Sequence, residues 1–246
     1  MTERHIGTSG YEYDDWQGRL YPHGLARTEW LPYYAARFSS VELNTTFYGL
    51  PDRSTVQRWR DSVPDGFRFA LKLSRYGTHM KRLRDPRDWL ERFERAISPL
   101  RPVMGPILVQ LPPRWHRDPE RLAAFLDAVP GDWRMAVEVR DPDWLHREVY
   151  AVLREHGAAL CTHDLIDHHP RLLTADWVYL RLHGPDRRER YAGSYSPQAL
   201  SGAARRLRRH LQAGRDAYVY FNNDVGGHAV ANALDLKRYL DDAEPR

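Results

Sequence analysis

The chain has 246 residues, a formal net charge of +4, 42% hydrophobic and 28% charged residues, the balance of an ordinary folded globular protein. Its single cysteine, Cys161, excludes an internal disulfide and any Cys-rich zinc or iron–sulfur site, which points to a reducing, cytoplasmic setting. Residues 1–5 lack the apolar core of a signal peptide, and no apolar run approaches the roughly 20 residues of a spanning helix, so no membrane partner is expected.

Basic residues number 37, of which 34 are arginine and 3 are lysine, a bias that reads as genome composition rather than function. A charge this small is a weak signal for nucleic acid and permits an anionic ligand without requiring one.

Short apolar or β-branched runs alternate with helical patterns along the chain. The first predicted strand is 5–8, followed by a helix over 30–38 that Thr28 is placed to cap. Strand 40–43 leads to a helix over 55–62 behind Ser54, and strand 67–73 to a helix over 87–100 behind Pro86. Strand 106–111 precedes a helix over 120–129 behind Pro119. Strand 134–140 leads to a helix over 144–156 that Gly157 stops. Strand 158–163 runs into an irregular connection around 167–173. The last two strands, 177–183 and 217–222, are followed by helices over 198–213 and 228–240.

Strict alternation of strand and helix implies parallel pairing. Eight such units in one domain spanning 1–246 match the size of a single (β/α)8 TIM-type barrel of α/β class. A doubly wound open sheet is the competing architecture. No G-x-G-x-x-G follows a strand and no Walker A motif exists, so no nucleotide-cofactor motif is present.

Each predicted strand ends in polar residues. In order they are Thr8 and Ser9; Glu42 and Asn44; Lys72; Gln110; Glu138 and Arg140; His163 and Asp164; Arg181 and His183; Asn222, Asn223 and Asp224. Residues two apart on a strand share a face, which pairs Glu42 with Asn44, Glu138 with Arg140, Arg181 with His183, and Asn222 with Asp224. Charges on the outer face would be buried under helices at high cost, so these pairs read as pointing inward. There, at the strand ends, a barrel carries its chemistry. A purely structural ion-pair lattice is the alternative reading.

Roles follow from residue chemistry. Glu42 and Glu138 read as general acid and base, since crowding drives two carboxylates to different protonation. His183 shares proton transfer. Lys72 stands in a chain that otherwise prefers arginine, and an amine can give up its proton where a guanidinium cannot. It reads as the group that stabilises developing negative charge, or as a counter-ion to Glu42 or Glu138. Substrate binding falls to Thr8, Ser9, Tyr11, Asn44, Gln110, Arg140, Arg181, Tyr191, Asn222, Asn223 and Asp224, with the two arginines clamping an anion. The pattern commits to no metal; a divalent ion, if one binds, would take Glu42, Glu138, His163 and His183.

The remaining features each carry two readings. Gly7–Tyr11 and the Gly226-Gly227 pair before the last helix suit either a phosphate cradle or plain turns. Residues 184–196 have the length of a lid. Tyr11, Tyr13, Trp16, Tyr21, Phe47, Tyr48, Tyr191 and Tyr195 suit stacking on a sugar or base, or packing. Trp30, Trp59, Trp89 and Trp144 sit in helical patterns and read as core, as does Cys161. The basic run 203–210 reads as a solvated helix face.

Together these segments resemble a known family. The carriers are Gly7-Thr-Ser-Gly-Tyr11 with Trp16 and Tyr21-Pro22; Val41-Glu-Leu-Asn-Thr-Thr-Phe-Tyr48; Phe69 with Lys72 and Thr78-His79; and Gln110-Leu-Pro-Pro113. Glu138-Val-Arg140 with Trp144, Tyr179-Leu-Arg-Leu-His-Gly184, Tyr191-Ala-Gly-Ser-Tyr-Ser196 and Phe221-Asn-Asn-Asp224 with Gly227 complete the set. The chain resembles the YecE-like family, domain of unknown function number 72, in order from about residue 5 to 240. The resemblance implies a TIM-type barrel similar to the endonuclease-four-like and xylose-isomerase-like group, a likeness of fold alone. It brings no settled activity.

Two functional expectations stand. One is an enzyme, a hydrolase or an isomerase or lyase, that acts by acid–base chemistry on a phosphate- or carboxylate-bearing substrate. The other is a nucleic-acid-binding protein or phosphodiester hydrolase, whose affinity would fall steeply with salt. A partner-binding scaffold with purely structural charges is a third.

Overall fold

Nine strands, all paired in parallel, and eight α-helices are found among the described residues, 2–186 and 188–242, of this computed structural model. Met1, Arg187 and residues 243–246 of the expected domain lie outside the described residues. Strand β1 (Arg4–Thr8) is followed by α1 (Trp30–Ala35), and β2 (Ser40–Leu43) by α2 (Thr45–Tyr48) and α3 (Arg53–Asp61). Next come β3 (Arg68–Lys72) with α4 (Pro86–Ile97) and β4 (Met104–Gln110) with α5 (Pro119–Asp127). Strand β5 (Met135–Glu138) leads through α6 (Arg147–Glu155) to β6 (Ala159–Leu160) and β7 (Thr162–His163). Finally β8 (Val178–Leu182) precedes α7 (Pro197–Gln212), and β9 (Ala217–Phe221) precedes α8 (His228–Asp241). The connection from β7 to β8 is irregular, as expected.

Helix starts follow local chemistry. Pro86, Pro119 and Pro197 open α4, α5 and α7, where the missing amide costs nothing. Asp52, rather than Ser54, caps α3 by accepting from the Thr55 amide at 2.7 Å. A carboxylate is the stronger acceptor. Thr28 sits inside a 3-10 turn, Arg27–Glu29, and caps nothing. Another such turn, Pro142–Trp144, delays α6 to Arg147.

The strands form two sheets rather than the single one expected. The five-stranded sheet has the order β2-β3-β4-β5-β6, and the four-stranded sheet β1-β9-β8-β7. Two side-chain hydroxyls explain the division. Between β1 and β2, the Tyr34 hydroxyl takes the Thr8 amide at 2.9 Å and contacts the Ser40 carbonyl at 3.1 Å. Among the described residues, the one backbone bridge at this seam is Ser9–Glu42, just past the end of β1. At the other seam, Thr174 accepts from the Leu160 amide and donates to the Ala158 carbonyl, both at 2.7 Å. The β8 ladder therefore begins only at Thr162, past Cys161.

Buried apolar residues fall into two groups, one under the helices and one between the sheets. The second joins Ala70, Leu108, Ala136 and Ala159 of one sheet to Tyr179, Tyr218 and Tyr220 of the other, with Cys161 among them. Mostly small residues on one sheet thus face large aromatics on the other, a complementary packing of sizes. Trp30, Trp59, Trp89 and Trp144 are buried in the outer group, as their helical spacing implied. No helix among the described residues is long and apolar enough to cross a membrane.

Candidate functional site

All nine strands run parallel, so their C-terminal ends gather on one side, and the period of two aims alternate residues into the space between the sheets. Register brings Gln110 level with Glu138, and His163 level with Arg181. Arg181 is 1% exposed and occupies the centre. Its guanidinium donates to Glu42 at 2.7 and 3.1 Å, to Glu138 at 2.6 Å and to the Ser9 hydroxyl at 2.9 Å. Tyr179 donates to the second oxygen of Glu42 at 2.6 Å, and Ser9 donates to the first. Arg140 adds its Nε to Glu138.

This side of the site is saturated. Burial alone would raise the Glu138 pKa, but the guanidiniums of Arg181 and Arg140 hold its carboxyl well below the usual range. Glu138 is therefore a fixed anion at neutral pH. Glu42 is tied just as fully by Arg181, Ser9 and Tyr179.

His183 is locked as a neutral ring. Its Nε2 accepts from Arg181 at 3.1 Å and faces Arg140 at 3.4 Å, which leaves Nδ1 to donate to Asp164 at 3.3 Å. Burial lowers its pKa, and Arg181 adds to that against the opposing pull of Asp164. Asp164 also accepts from the Tyr195 hydroxyl, which ties down the loop after β8. His163 is used differently: Nε2 donates to the Val139 carbonyl at 2.8 Å and Nδ1 accepts from the Leu165 amide at 3.2 Å. Burial takes it down to about 4.

Glu42, Glu138, His163 and His183 therefore do not fit a divalent ion as a set. Arg181 lies between the two carboxylates, and both nitrogens of His163 are spent on backbone. Among the described residues, no group of three or more His, Cys, Asp or Glu forms an ion site.

Two other strand-end groups lack such ion-pair partners. Lys72 is 8% exposed, and its ammonium stands 4.3 Å from the centroid of the Phe47 ring instead of against a carboxylate. Burial, reinforced by Arg181 and opposed by Glu138 and Glu42, lowers its pKa to about 8. Asp224 is 9% exposed, and its Oδ1 is buried with no hydrogen-bond partner. Burial outweighs Tyr13 and Arg181 and pushes its pKa up to about 8.

Geometry points the same way. The Tyr13 hydroxyl lies 2.7 Å from the Ser9 carbonyl and 3.1 Å from Asp224 Oδ2. A phenol has one hydrogen. With that hydrogen on the carbonyl, the contact with Asp224 needs a proton from the carboxyl itself. Asn44 adds a second idle acceptor: its amide nitrogen donates to Ser9 at 3.1 Å while Oδ1 is buried and unpartnered.

Other expected site residues lie at the same strand ends. Gln110 accepts from Arg140 at 3.4 Å, and the Tyr191 ring lies 6.0 Å from His183. Asn222 is 9% exposed at the end of β9. Three expected residues serve the fold instead. Thr8 is fully buried and donates to the Gly10 carbonyl. Tyr11 packs toward Tyr34, and its carbonyl accepts from Tyr21 at 2.6 Å. Asn223 braces Gly193 and Asn232 at 2.8 and 2.9 Å, because its position in the turn turns it away from Asp224's face. The glycine pair before α8 is also engaged, since Asp15 accepts from the Gly226 amide where a phosphate would sit.

Sequence reasoning assigned no site role to Tyr179, and gave Tyr13, Phe47 and Tyr195 only a choice between stacking on a ligand and packing. Tyr179 shares the face of Arg181 two residues on, so the period of two was signal enough for it. The other three come from loops and the short α2, where no periodicity operates.

The family described as "Protein of unknown function DUF72" matches residues 5–246. The chain belongs to the DUF72 family. A DUF72 family protein from Thermotoga maritima MSB8 is 32% identical, superimposes with a TM-score of 0.85, and covers 98% of this chain and 100% of its own. Another DUF72 protein, from Enterococcus faecalis V583, shares the fold at 20% identity with a TM-score of 0.80, covering 99% of each chain.

The chain is also 40% identical over 112 residues to the UPF0759 protein YecE of Escherichia coli (strain K12), a stretch that spans 45% of this chain and 41% of that relative. The UPF0759 protein YunF of Bacillus subtilis (strain 168) is 26% identical over 269 residues, 96% of this chain and 94% of its own. The DUF72 membership bears out the resemblance that the sequence motifs carried.

Proposed function

We propose that the two sheets close into one (β/α)8 barrel whose strand ends hold an active site for a small phosphate- or carboxylate-bearing substrate. Closure is supported by the hydroxyl bridges of Tyr34 and Thr174 at the two seams, and by an interior cluster drawn from both sheets. The functional reading is carried by Asp224, a buried carboxyl that keeps its proton near neutrality and has an oxygen with no protein partner. Such a group is poised as a general acid.

Lys72 supplies the cation that holds the anionic group. Asn44 and Gln110 orient hydroxyls of the substrate. Arg181, Glu42 and Glu138 form a rigid floor, so the proton-donor role expected for a glutamate passes to Asp224. The buried thiol of Cys161 fits a cytoplasmic location.

Titration calorimetry with inorganic phosphate and with glycolate tests the anion site, alongside an activity screen of sugar phosphates and sugar acids. One site per chain is expected, weakened at least tenfold in Lys72→Met and weakened again above pH 8. Turnover should fall in Asp224→Asn without loss of binding. Binding and turnover that both ignore these two variants would overturn the proposal.

A second reading has its own support in the rim beside Lys72. Tyr48, Tyr76 and Met80 are 79%, 45% and 69% exposed, next to Arg75 and Lys81. Exposed aromatics among basic residues suit a single-stranded nucleic acid. Binding of an oligonucleotide that weakens steeply with salt would favour this reading.

A further inference from the structure

Away from the strand-end site, the helical layer has a gap. Every strand-to-strand connection in sequence carries an α-helix except β6 to β7, which one residue separates, and β7 to β8. Beside residues 164–177, where the helix is missing, lies a cavity of about 420 Å3 between the outer face of β8 and α7. Side chains on β8 alternate: Tyr179 and Arg181 point inward and are buried, whereas Val178, Leu180 and Leu182 are only half-covered. Leu172 and Leu207 extend that apolar wall.

Basic residues also line the cavity. Arg171, Arg206, His169 and His210 all border the cavity. The charges that bear on Arg206 are those of Arg171, Arg209 and Arg205, all of its own sign. His169 donates from Nδ1 to the Pro170 carbonyl at 3.1 Å, while its Nε2 is buried without a partner. Asp164 and Asp167 also line the cavity, and Asp164 is engaged by His183 and Tyr195.

An apolar wall beside the guanidiniums of Arg171 and Arg206 matches a ligand with a greasy body and one negative head. The cavity, about 420 Å3, is the size of a site for one small ligand. It falls within the ordinary range of small-molecule pockets, roughly 300–1,000 Å3.

We propose that this cavity binds an aliphatic carboxylate, its chain against Leu172, Leu180, Leu182 and Leu207 and its head at Arg206 and Arg171. The cavity lies on the outer face of β8, and His163, Asp164 and Tyr179 border both it and the strand-end site, so the Lys72→Met variant below separates the two.

Titration calorimetry with dodecanoate, below its micelle concentration, is the test, with dodecyltrimethylammonium as the control of equal chain length. Dodecanoate should bind once per chain, and the cation at least tenfold more weakly. Arg171→Glu with Arg206→Glu should weaken dodecanoate at least tenfold, and Leu172→Gln severalfold. Both changes are at exposed or half-buried positions, and an unchanged thermal midpoint verifies the fold. Equal binding of the two amphiphiles, or binding unaltered in both variants, would overturn the proposal. So would loss of dodecanoate binding in Lys72→Met alone, which places the ligand at the strand ends. Concentration-dependent dimerisation that Leu172→Gln abolishes would assign the face to a second copy and overturn it as well.

Discussion

The two sides of the strand-end site use the same residue types to opposite ends. Around Arg181, two carboxylates share one guanidinium and are also met by Ser9, Tyr179 and Arg140. Where β3 and β9 end, a carboxyl and an amine are buried almost as deeply without such partners, and both are driven toward about 8. Burial is common to both sides. What differs is the partner: a paired ion keeps its charge in the interior, whereas an unpaired group shifts its pKa instead. The first side is built to stay as it is, and the second to exchange protons.

The largest break in this comparison is Arg181→Met. It leaves Glu42 buried without a cation and Glu138 with Arg140 alone, and should cost about 3–5 kcal/mol in urea unfolding. Acid gives a related loss. Glu138 has its pKa depressed in the fold, so its contribution is present above its unfolded value of about 4.3 and is lost as pH falls through the lower folded value.

The unpaired carboxyl should show the reverse sign. Asp224 holds its proton in the fold up to about 8, while the unfolded chain releases it near 3.9. Its contribution is therefore full below about 3.9 and lost as pH rises toward 8. Asp224→Asn should match the parent at pH 4 and gain on it steadily to pH 8. Lys72 acts in the adjoining window, since the unfolded chain binds its proton up to about 10.4 and the fold only to about 8. Stability from this group rises between those values, and Lys72→Met should remove the rise. Denaturation midpoints taken across pH 4–11 measure both slopes. If either variant leaves the parent's profile unaltered, the contrast between the two sides fails.

The smallest effect serves as the baseline. Arg27 and Asp14 form an ion pair with side chains 67% and 69% exposed. Arg27→Ala should change stability by less than about 1 kcal/mol, because water and salt screen such pairs.

Much of this organisation was legible in the sequence. Period-two spacing put Glu42 with Asn44 and Arg181 with His183 on shared faces, and proline positions marked the starts of α4, α5 and α7. Strand ends rich in polar residues indicated one site. Roles were harder to read. Glu42 and Glu138 look like an acid–base pair until Arg181, 139 and 43 residues away in sequence, is found between them. Asp224 looks like one more turn residue until Tyr13, 211 residues away, is found beside it.

The sequence by itself determined the alternation of strand and helix, the inward faces of the strands and the membership of the DUF72 family, because these rest on local periodicity and ordered motifs. Only the tertiary structure decided which charges are paired, which are stranded, and where a single hydroxyl replaces a strand ladder. Those outcomes depend on desolvation and on contacts between residues far apart in the chain, and neither quantity is written in any local stretch of it.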